Sequence, residues 1–378
     1  MAIQHPPLSE VRKSLRVNWY RCPIERAKLQ KLMQRSNLRG AFQAGGHLAL
    51  WAATGVLAYA LFTKELWVGF GVALFLHGTV GSFFKGQAVH ELGHGTVFRS
   101  KWLNQVFLRI FSLLGWWNHH EYAMSHTYHH RYTLHPEGDR EVMLPRNPTL
   151  WFISLLQLFT VNINFKIESN SVYYTIRRIV WTALNRYDDA WVKSLYQEQP
   201  TARRQAVNWA RLVLAFHVVV IGAFIAIDQP ILAVLVSGHL FIGNGLKYFV
   251  ALPMHCGLRD NVPDFRKCVR TITLNPISEF LYWHMNWHTE HHMFAGVPCY
   301  NLAKMNAAVK DDMPKPRSLI SAWREMRETR RRQEDDPDYQ FDTPVPTTAQ
   351  PAMADTTTAT DANALEASIG DLAPTALQ

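Results

Sequence analysis

The chain has 378 residues, of which 48% are hydrophobic, and a formal net charge of +9. Its apolar residues are bunched in long runs instead of recurring at amphipathic spacing, which argues against an ordinary soluble protein. Nine Lys or Arg lie between Arg12 and Arg39, directly before the first apolar run. Anionic lipid headgroups account for this charge, and no nucleic-acid motif accompanies it, so a nucleic-acid partner is excluded.

A basic N-terminal segment, residues 1–40, is predicted to lie in the cytoplasm. It has no short apolar core followed by a cleavage site, so no removable signal peptide is predicted. Four apolar stretches then predict membrane spans at about residues 41–62, 66–84, 209–227 and 230–250. Residues 41–62 carry no charge over 22 positions and residues 66–84 none over 19, close to the roughly 20 that a span requires.

The links within each pair of spans are short, residues 63–65 and 228–230, and predict two helical hairpins. By the positive-inside bias, the basic segments before, between and after the hairpins lie in the cytoplasm. Two further apolar stretches, 103–117 with Arg109 at its centre and 150–165 with Asn162 and Asn164, are predicted to lie in the membrane interface because polar groups are costly inside lipid. If either stretch crossed the membrane alone, the chain after it would change sides.

The membrane domain is predicted to cover residues 41–320. Residues 321–378 are charged at first and then, beyond about Glu334, rich in Pro, Thr, Ala and Asp, a composition that predicts a disordered tail. The four cysteines show no Cys-x-x-Cys pairing, which fits a reducing, cytosol-facing location without disulfides.

Three histidine clusters lie just past apolar stretches: His90-Glu-Leu-Gly-His94, His126-Thr-Tyr-His129-His130 and His288-Thr-Glu-His291-His292. Histidines three or four apart on a helix share a face, and neutral imidazole is the commonest protein ligand for iron, zinc and copper. With four spans, all three clusters and His255 emerge on one side of the membrane. Two metal ions would then have four or five nitrogens each from nine candidate ligands: His90, His94, His126, His129, His130, His255, His288, His291 and His292.

Four carboxylates near the clusters are candidates to accept the second N–H of a ligating imidazole: Glu91, Glu121, Asp139 and Glu290. Solvated charges on a cap helix are the alternative interpretation of these four residues. No catalytic residue beyond the metal ligands is predicted. Eight further histidines are predicted to be hydrogen-bonding neighbours of the clusters (His119, His120, His135, His284) or to bond between helices (His47, His77, His217, His239).

The first cluster also matches His-Glu-x-x-His, the zinc metalloprotease signature. Catalytic zinc needs three protein ligands, so an intramembrane protease would leave most of the nine histidines without a role. A metal-transport or other non-catalytic protein is a further alternative. Transport is disfavoured because the histidines lie at one end of the spans, whereas transporters place their sites near the midplane.

The sequence resembles the membrane fatty acid desaturases, the histidine-box non-haem di-iron family that also contains hydroxylases of lipid-like substrates. The likeness covers about residues 41–302 and includes Thr271–Pro276, Asn286–Phe294, Val297-Pro298 and the Met254-His255-Cys-Gly segment. Two departures stand out: Ala295 where many relatives have Pro, and three residues between the histidines of the first box where some relatives have four.

The resemblance implies an all-α integral membrane fold, with four transmembrane helices in two hairpins under a cytoplasmic helical cap that carries a di-iron site. It implies two iron ions held by the three boxes and one further histidine, O2 as co-substrate, and desaturation of a fatty acyl or lipid-like chain. A histidine-box hydroxylase is the alternative.

The sequence shows no haem, flavin or iron–sulfur motif, so electrons are expected from a separate donor, a ferredoxin or a cytochrome b5 with its reductase. A bacterial inner membrane is favoured over the endoplasmic reticulum.

Overall fold

The computed structural model describes residues 5–144, 148–165, 170–187, 189–197 and 199–346. Its regular structure is almost entirely helical, and the two strands in the described ranges, β1 (Ile272–Thr273) and β2 (Arg317–Ser318), are two residues each and pair in parallel. The principal helices are, in chain order, α1 Leu8–Ser14, α2 Arg26–Leu32, α3 Asn37–Thr63, α4 Trp67–Gly93, α5 Lys101–Leu114, α6 His119–Tyr132, α7 Phe152–Phe159, α8 Val172–Ala183, α9 Ala190–Gln197, α10 Pro200–Ala226, α11 Pro230–Phe241, α12 Gly245–Ala251, α13 Phe265–Cys268, α14 Pro276–Leu281, α15 His288–Met293, α16 Leu302–Val309 and α17 Leu319–Asp335.

Three helices, α3, α4 and α10, are long and apolar enough to cross a membrane. Each has 27 residues, more than the roughly 20 that the hydrocarbon core requires. They contain most of the first three predicted spans. α3 and α4 pack as a hairpin, and the turn between them contains Glu65 at φ 55°. In the most apolar windows of α3 and α10 only 11% and 17% of residues are buried, against 50% in α4, so α4 is the helix that the rest of the protein surrounds.

The fourth predicted span, residues 230–250, is not a continuous helix. α11 ends at Phe241, the chain is non-helical from Ile242 to Asn244, and α12 begins at Gly245. Gly243 has φ 58°, a left-handed conformation that glycine adopts without a steric penalty. Residues 231–246 carry no charge, which led to the prediction of a span, but hydropathy reports composition and not backbone conformation.

The backbone groups at the break bond to a segment that lies far earlier in the chain. Gly243 N donates to Thr160 O at 2.9 Å, Asn162 N donates to Phe241 O at 2.8 Å, and Val161 and Ile242 form an antiparallel bridge. Within lipid, non-helical backbone is tolerated only where protein satisfies its polar groups. The pairing with residues 160–162 meets this condition for the interrupted helix.

The two stretches predicted to lie in the interface form helices too short to cross a membrane. α5 has 14 residues and α7 has eight, against the roughly 20 needed. α5 is amphipathic, since Trp102 and Val106 are exposed while Phe111 is fully buried. Asn162 and Asn164 differ from the expectation, because both are buried in the protein. Asn162 Nδ2 donates to the side chain of Asn244 at 3.3 Å.

The largest group of buried apolar side chains joins the end of α4 to α5, α15 and α16, through residues that include Leu92, Phe111, Met293 and Leu302. The N-terminal segment packs onto this region, with the ring of Trp19 stacked on Phe265 at 4.0 Å. Within the described residues all four cysteines are free and buried.

The C-terminal region is more ordered than its composition predicted. α17 extends to Asp335, and Phe341 N then donates to Gly257 O at 2.8 Å. Residues 336–346 therefore pack on the domain, in contrast to the disorder predicted beyond Glu334. Lys267 Nζ also bonds to Asp342 Oδ1 at 2.9 Å, and Asp260 N donates to Gln340 Oε1 at 3.1 Å. Composition could not reveal these contacts, because their partners come from residues 257–267, far away in the sequence. Residues 347–378 of the predicted tail lie outside the described ranges.

Candidate metal centre

The first histidine cluster lies at the end of α4, just after a kink. Lys85 and Gly86 are non-helical, and Gly86 has φ 94°, a value that favours glycine. Lys247 Nζ in α12 donates to the backbone oxygen of Lys85 and, at 3.0 Å, to Asn170 Oδ1. The buried ammonium group thereby fixes the kink from which the turn with His90 and His94 continues.

The second and third clusters lie on two shorter helices. α6 begins at Asn118, whose side chain accepts a hydrogen bond from Glu121 N at 3.2 Å, the usual stabilisation of a helix N-terminus. Its C-terminal half carries the second cluster, and α15 carries the third. His255 follows α12.

The nine predicted ligands converge into two groups. In each group one candidate ligand atom per residue lies within 4.8 Å of all the others. The first group is His90, His94, His126, His130 and His291, and the second is His129, His255, His288 and His292. Adjacent residues of one cluster enter different groups because neighbours on a helix point in directions about 100° apart.

In the second group the Nε2 atoms face one another. His288 Nε2 lies 3.1 Å from the Nε2 atoms of both His255 and His292. Two ligands at a right angle, each about 2.0–2.1 Å from one ion, lie about 3 Å apart. Lone pairs of neutral imidazoles repel at this distance unless a proton or a cation lies between them. The donor set and its spacing therefore fit a transition-metal ion.

The Nε2 atoms of the first group also lie close together or have no hydrogen-bond partner in the part of the chain that the structure describes. His130 Nε2 lies 3.2 Å from His291 Nε2. The Nε2 atoms of His90, His94 and His126 are buried and have no hydrogen-bond partner among the described residues. Since buried polar atoms are nearly always satisfied, these orphaned nitrogens also fit a bound metal.

One carboxylate, that of Glu91, lies next to the Nδ1 atoms of two histidines of the first group. Glu91 Oε1 is 2.9 Å from His90 Nδ1 and 3.4 Å from His291 Nδ1. Glu91 is fully buried. One acidic side chain thus lies against imidazoles from the first and third clusters, on the side away from their Nε2 atoms.

Two further carboxylates hydrogen-bond to histidines of the second cluster. Asp139 Oδ2 lies 2.8 Å from His129 Nδ1 and also accepts from Leu134 N at 2.9 Å. Glu141 Oε1 lies 3.0 Å from His126 Nδ1, and its other oxygen accepts from the Ser125 hydroxyl at 2.6 Å. A carboxylate on Nδ1 leaves the lone pair on Nε2 and orients the ring toward a metal.

Sequence proximity identified only part of this carboxylate set. Glu91 and Asp139 contact histidines that are candidate ligands, His90 and His129. The side chain of Glu121 accepts hydrogen bonds from Arg178 and Tyr196, and that of Glu290 accepts from Thr271 and Asn306. These two residues therefore hold helices in place and do not contact ligands. Glu141 was missed, although its position two residues after Asp139 was an available signal.

The electrostatic environment keeps most of the candidate ligands neutral. His129 is the exception, because burial lowers its pKa but Asp139 outweighs burial and raises it. Burial lowers the pKa of His130, His288, His291 and His292 well below the usual range, and neighbouring imidazoles lower it further. For Glu141, burial raises the pKa, but His126, His129 and Ser125 outweigh it and lower the pKa to about 2. Neutral imidazoles supported by an ionised carboxylate are the form that binds metal.

The other histidines stay outside both groups. His284 Nδ1 bonds to Glu279 at 2.9 Å and His135 Nδ1 to backbone oxygens, as predicted for neighbours of the clusters. The four histidines in the apolar stretches bond mainly to backbone oxygens, three of them across helices; for example, His77 Nε2 lies 2.9 Å from Leu235 O. Both ring nitrogens of His119 and the Nδ1 atom of His120 have no hydrogen-bond partner among the described residues.

Comparison with known proteins gives one result that bears on this site. The comparison with curated proteins returns no match for the chain. A family model described as fatty acid desaturase matches residues 65–323, well over half of the 378 residues, and this range contains all three clusters and His255. The chain therefore belongs to the fatty acid desaturase family.

Proposed function

We propose that this protein is a membrane-bound, O2-dependent desaturase that introduces a double bond into a fatty acyl or lipid-like chain. Family membership supports an oxidoreductase of the desaturase or hydroxylase type. The observation that carries the proposal is the convergence of nine histidines into groups of five and four. Such groups can hold two metal ions and still leave positions on each ion for other ligands.

In this proposal, the nine histidines hold two iron ions through their Nε2 atoms. Iron bound there would supply the oxidising chemistry that cleaves an unactivated C–H bond. The protein's own contribution is to position the imidazoles and exclude water. Eight of the nine side chains lie on the end of α4, on α6 and on α15, so three helices must keep their relative positions for both groups to stay complete.

The carboxylates act by orienting the ligands. Glu91, Asp139 and Glu141 each accept a hydrogen bond from Nδ1 of a ligating imidazole, which fixes the tautomer and raises the basicity of Nε2. Glu290 does not orient a ligand directly. Its carboxylate accepts hydrogen bonds from Thr271 and Asn306, and it therefore helps to hold α15 in place.

A zinc protease is less consistent with these contacts. In the His-Glu-x-x-His mechanism, the glutamate activates a metal-bound water. Glu91 Oε1 instead contacts the Nδ1 atoms of His90 and His291, the ring positions that face away from the converging Nε2 atoms. The protease hypothesis also leaves the second group of histidines unexplained.

The proposal includes the setting of the enzyme. The metal groups and the basic N-terminal segment, residues 1–40, lie on the cytoplasmic side, and the catalytic unit is residues 41–320. The fourth membrane element is the interrupted pair α11 and α12. Electrons come from a separate donor, a ferredoxin or a cytochrome b5 with its reductase, and a bacterial inner membrane is the favoured location.

Two measurements test the proposal. After anaerobic purification, metal analysis is expected to find about two irons per chain, whereas a single zinc with peptidase activity would support the protease. Mass spectrometry of lipids from expressing cells is expected to show products that have lost two hydrogen atoms. Products that have gained one oxygen atom would make the protein a hydroxylase with the same metals.

A further inference from the structure

Two adjacent histidines at the N-terminus of α6 lie outside both metal groups and have an unusual environment. His119 is 2% exposed, and neither of its ring nitrogens has a partner among the described residues. The Nδ1 atom of His120 is also buried and unpartnered there, and the two rings lie 4.2 Å apart. Because buried polar atoms are nearly always satisfied, three such nitrogens in neighbouring side chains point to a ligand.

The helix terminus adds donors to the same place. α6 has 14 residues, and the Asn118 side chain satisfies only Glu121 N. The backbone N–H groups of His119 and His120 have no partner in the described part of the chain. Cα–Cβ bonds tilt toward the N-terminus of a helix, so both imidazoles share this end with the free N–H groups. Such an end attracts negative charge.

The surrounding charge favours an anion over a metal ion. Burial lowers the pKa of His119 well below its usual range and that of His120 to about 4, and the nearby positive charge of Arg109 lowers both further. Each imidazole is therefore neutral at physiological pH and offers one N–H. The nearest acidic residue on α6, Glu121, already bonds to Arg178 and Tyr196. A cation would be repelled by Arg109, whereas an anion would be stabilised.

The position of the two histidines connects them with both the membrane and the metal centre. His119 and His126 are seven residues apart, so they lie on one face of α6, about 10 Å apart along its axis. Arg109 is on the exposed side of α5 that also carries Trp102 and Val106. The ring of Trp209, near the start of the apolar part of α10, lies 4.4 Å from that of His119.

We propose that His119, His120 and Arg109 bind the anionic head of the lipid substrate, a carboxylate or a phosphate, with its acyl chain lying along α6 toward His126. This inference rests on the proposed function, since it concerns the substrate of the same centre. It implies that the substrate enters from the bilayer interface with a charged head.

Binding can be measured without turnover. The metal-loaded, full-length protein in neutral detergent, kept anaerobic and without reductant, is titrated calorimetrically with palmitate, dipalmitoyl phosphatidate and methyl palmitate. We expect at least one of the two anions to bind, and methyl palmitate to bind at least about tenfold more weakly, since a charge-assisted hydrogen bond is lost. Tight binding of palmitate alone identifies a fatty acid, and tight binding of phosphatidate alone identifies a phospholipid.

Two variants and a control complete the test. Arg109→Gln and the double variant His119→Phe, His120→Phe are each expected to weaken anion binding about tenfold or more, while Lys101→Gln on the same helix leaves it unchanged. Metal content and thermal unfolding report whether each variant folds. If the double variant does not fold, Arg109→Gln alone tests the inference, because Arg109 is exposed and its replacement should not disturb folding. Equal binding of palmitate and its methyl ester, or wild-type affinity in Arg109→Gln, would overturn the inference.

Metal analysis distinguishes the remaining outcomes. If the double variant loses one equivalent of metal while Arg109→Gln has no effect on binding, the pair is a metal site and the inference is wrong. If anions bind but no oxidised lipid is ever formed, the proposed function fails, and His119, His120 and Arg109 form an anion site that does not bind a substrate head. If products form but neither anion binds, the inference alone fails.

Discussion

Replacing Glu141 by Gln tests whether a carboxylate that is hydrogen-bonded to Nδ1 of an imidazole strengthens metal binding at its Nε2 atom. The amide can still accept from His126 Nδ1, and its NH2 can donate to Ser125 Oγ, which already accepts from Trp191 Nε1. Only the charge is removed. Changing such a partner of a metal ligand typically costs 10- to 100-fold in metal affinity, which corresponds to about 1.4–2.7 kcal/mol.

The loss is expected in one metal group only. His126 belongs to the group of five, so Glu141→Gln should release one of two irons on challenge with a chelator, while the group of four keeps its metal. The pKa of Glu141 is lowered from 4.5 to about 2, so its charge is fully present above about 4.5 and is lost as the pH falls through about 2. The effect of the substitution should therefore be constant between about pH 6 and 8.

The matched control is Glu279→Gln. Glu279 also bonds to a histidine, since its Oε1 lies 2.9 Å from His284 Nδ1, but His284 is outside both groups. This variant should keep both metals. The reasoning is refuted if Glu141→Gln retains both irons as firmly as the wild type, or if both variants lose metal equally.

Three other predictions concern single contacts. His288→Ala should lose the metal of the second group and all activity, whereas His284→Ala should keep both irons; equal metal content in the two variants would contradict the assignment. Lys247→Met removes the donor to Lys85 O and Asn170 Oδ1 and should lower the unfolding free energy by about 1–3 kcal/mol, measured by thermal unfolding in detergent; an unchanged midpoint would show that this ammonium does not support the kink. Gly81→Ala would place a Cβ atom 2.0 Å from His239 and should destabilise the protein by about 1–3 kcal/mol, while Gly71→Ala, which meets nothing within 4 Å, should have no such effect.

The nine histidines that converge in the two groups could be selected from the sequence, because their spacing follows the local periodicity of a helix. Histidines spaced three or four apart share a helix face whatever the rest of the fold does. The clusters can bind metal ions together only if they converge, so their convergence was expected. The division into groups of five and four was not predicted. It depends on how α6 and α15 are rotated against α4, which only tertiary packing decides.

The carboxylates show the limit of proximity in sequence. Glu121 and Glu290 are as close to histidines in the chain as Glu91 is, yet Arg178 and Thr271 bind them elsewhere. Their partners come from α8 and from the segment before β1, so no local pattern could reveal them. Glu141 differs from these two, because its position two residues after Asp139 was a local signal, although the turn after α6 sets the direction of its side chain.

The interrupted fourth element could not be predicted from its own residues. Residues 231–246 are free of charge and mostly apolar, and the groups that satisfy the backbone at the break, Thr160 and Asn162, come from another part of the chain. Gly243 was the one local indication, since glycine is the residue that accepts a positive φ.

The pairing between residues 160–162 and the break at Ile242–Asn244 also restricts how the protein can be inserted during synthesis. A polypeptide entering lipid with those amide and carbonyl groups bare would pay several kcal/mol for each. If α11 and α12 form the fourth membrane element, as proposed, they cannot be released into the bilayer as an independent hairpin with α10. They would have to enter together with the earlier segment, which the ribosome has already delivered, and assembly of this half of the protein would then follow the order of its translation.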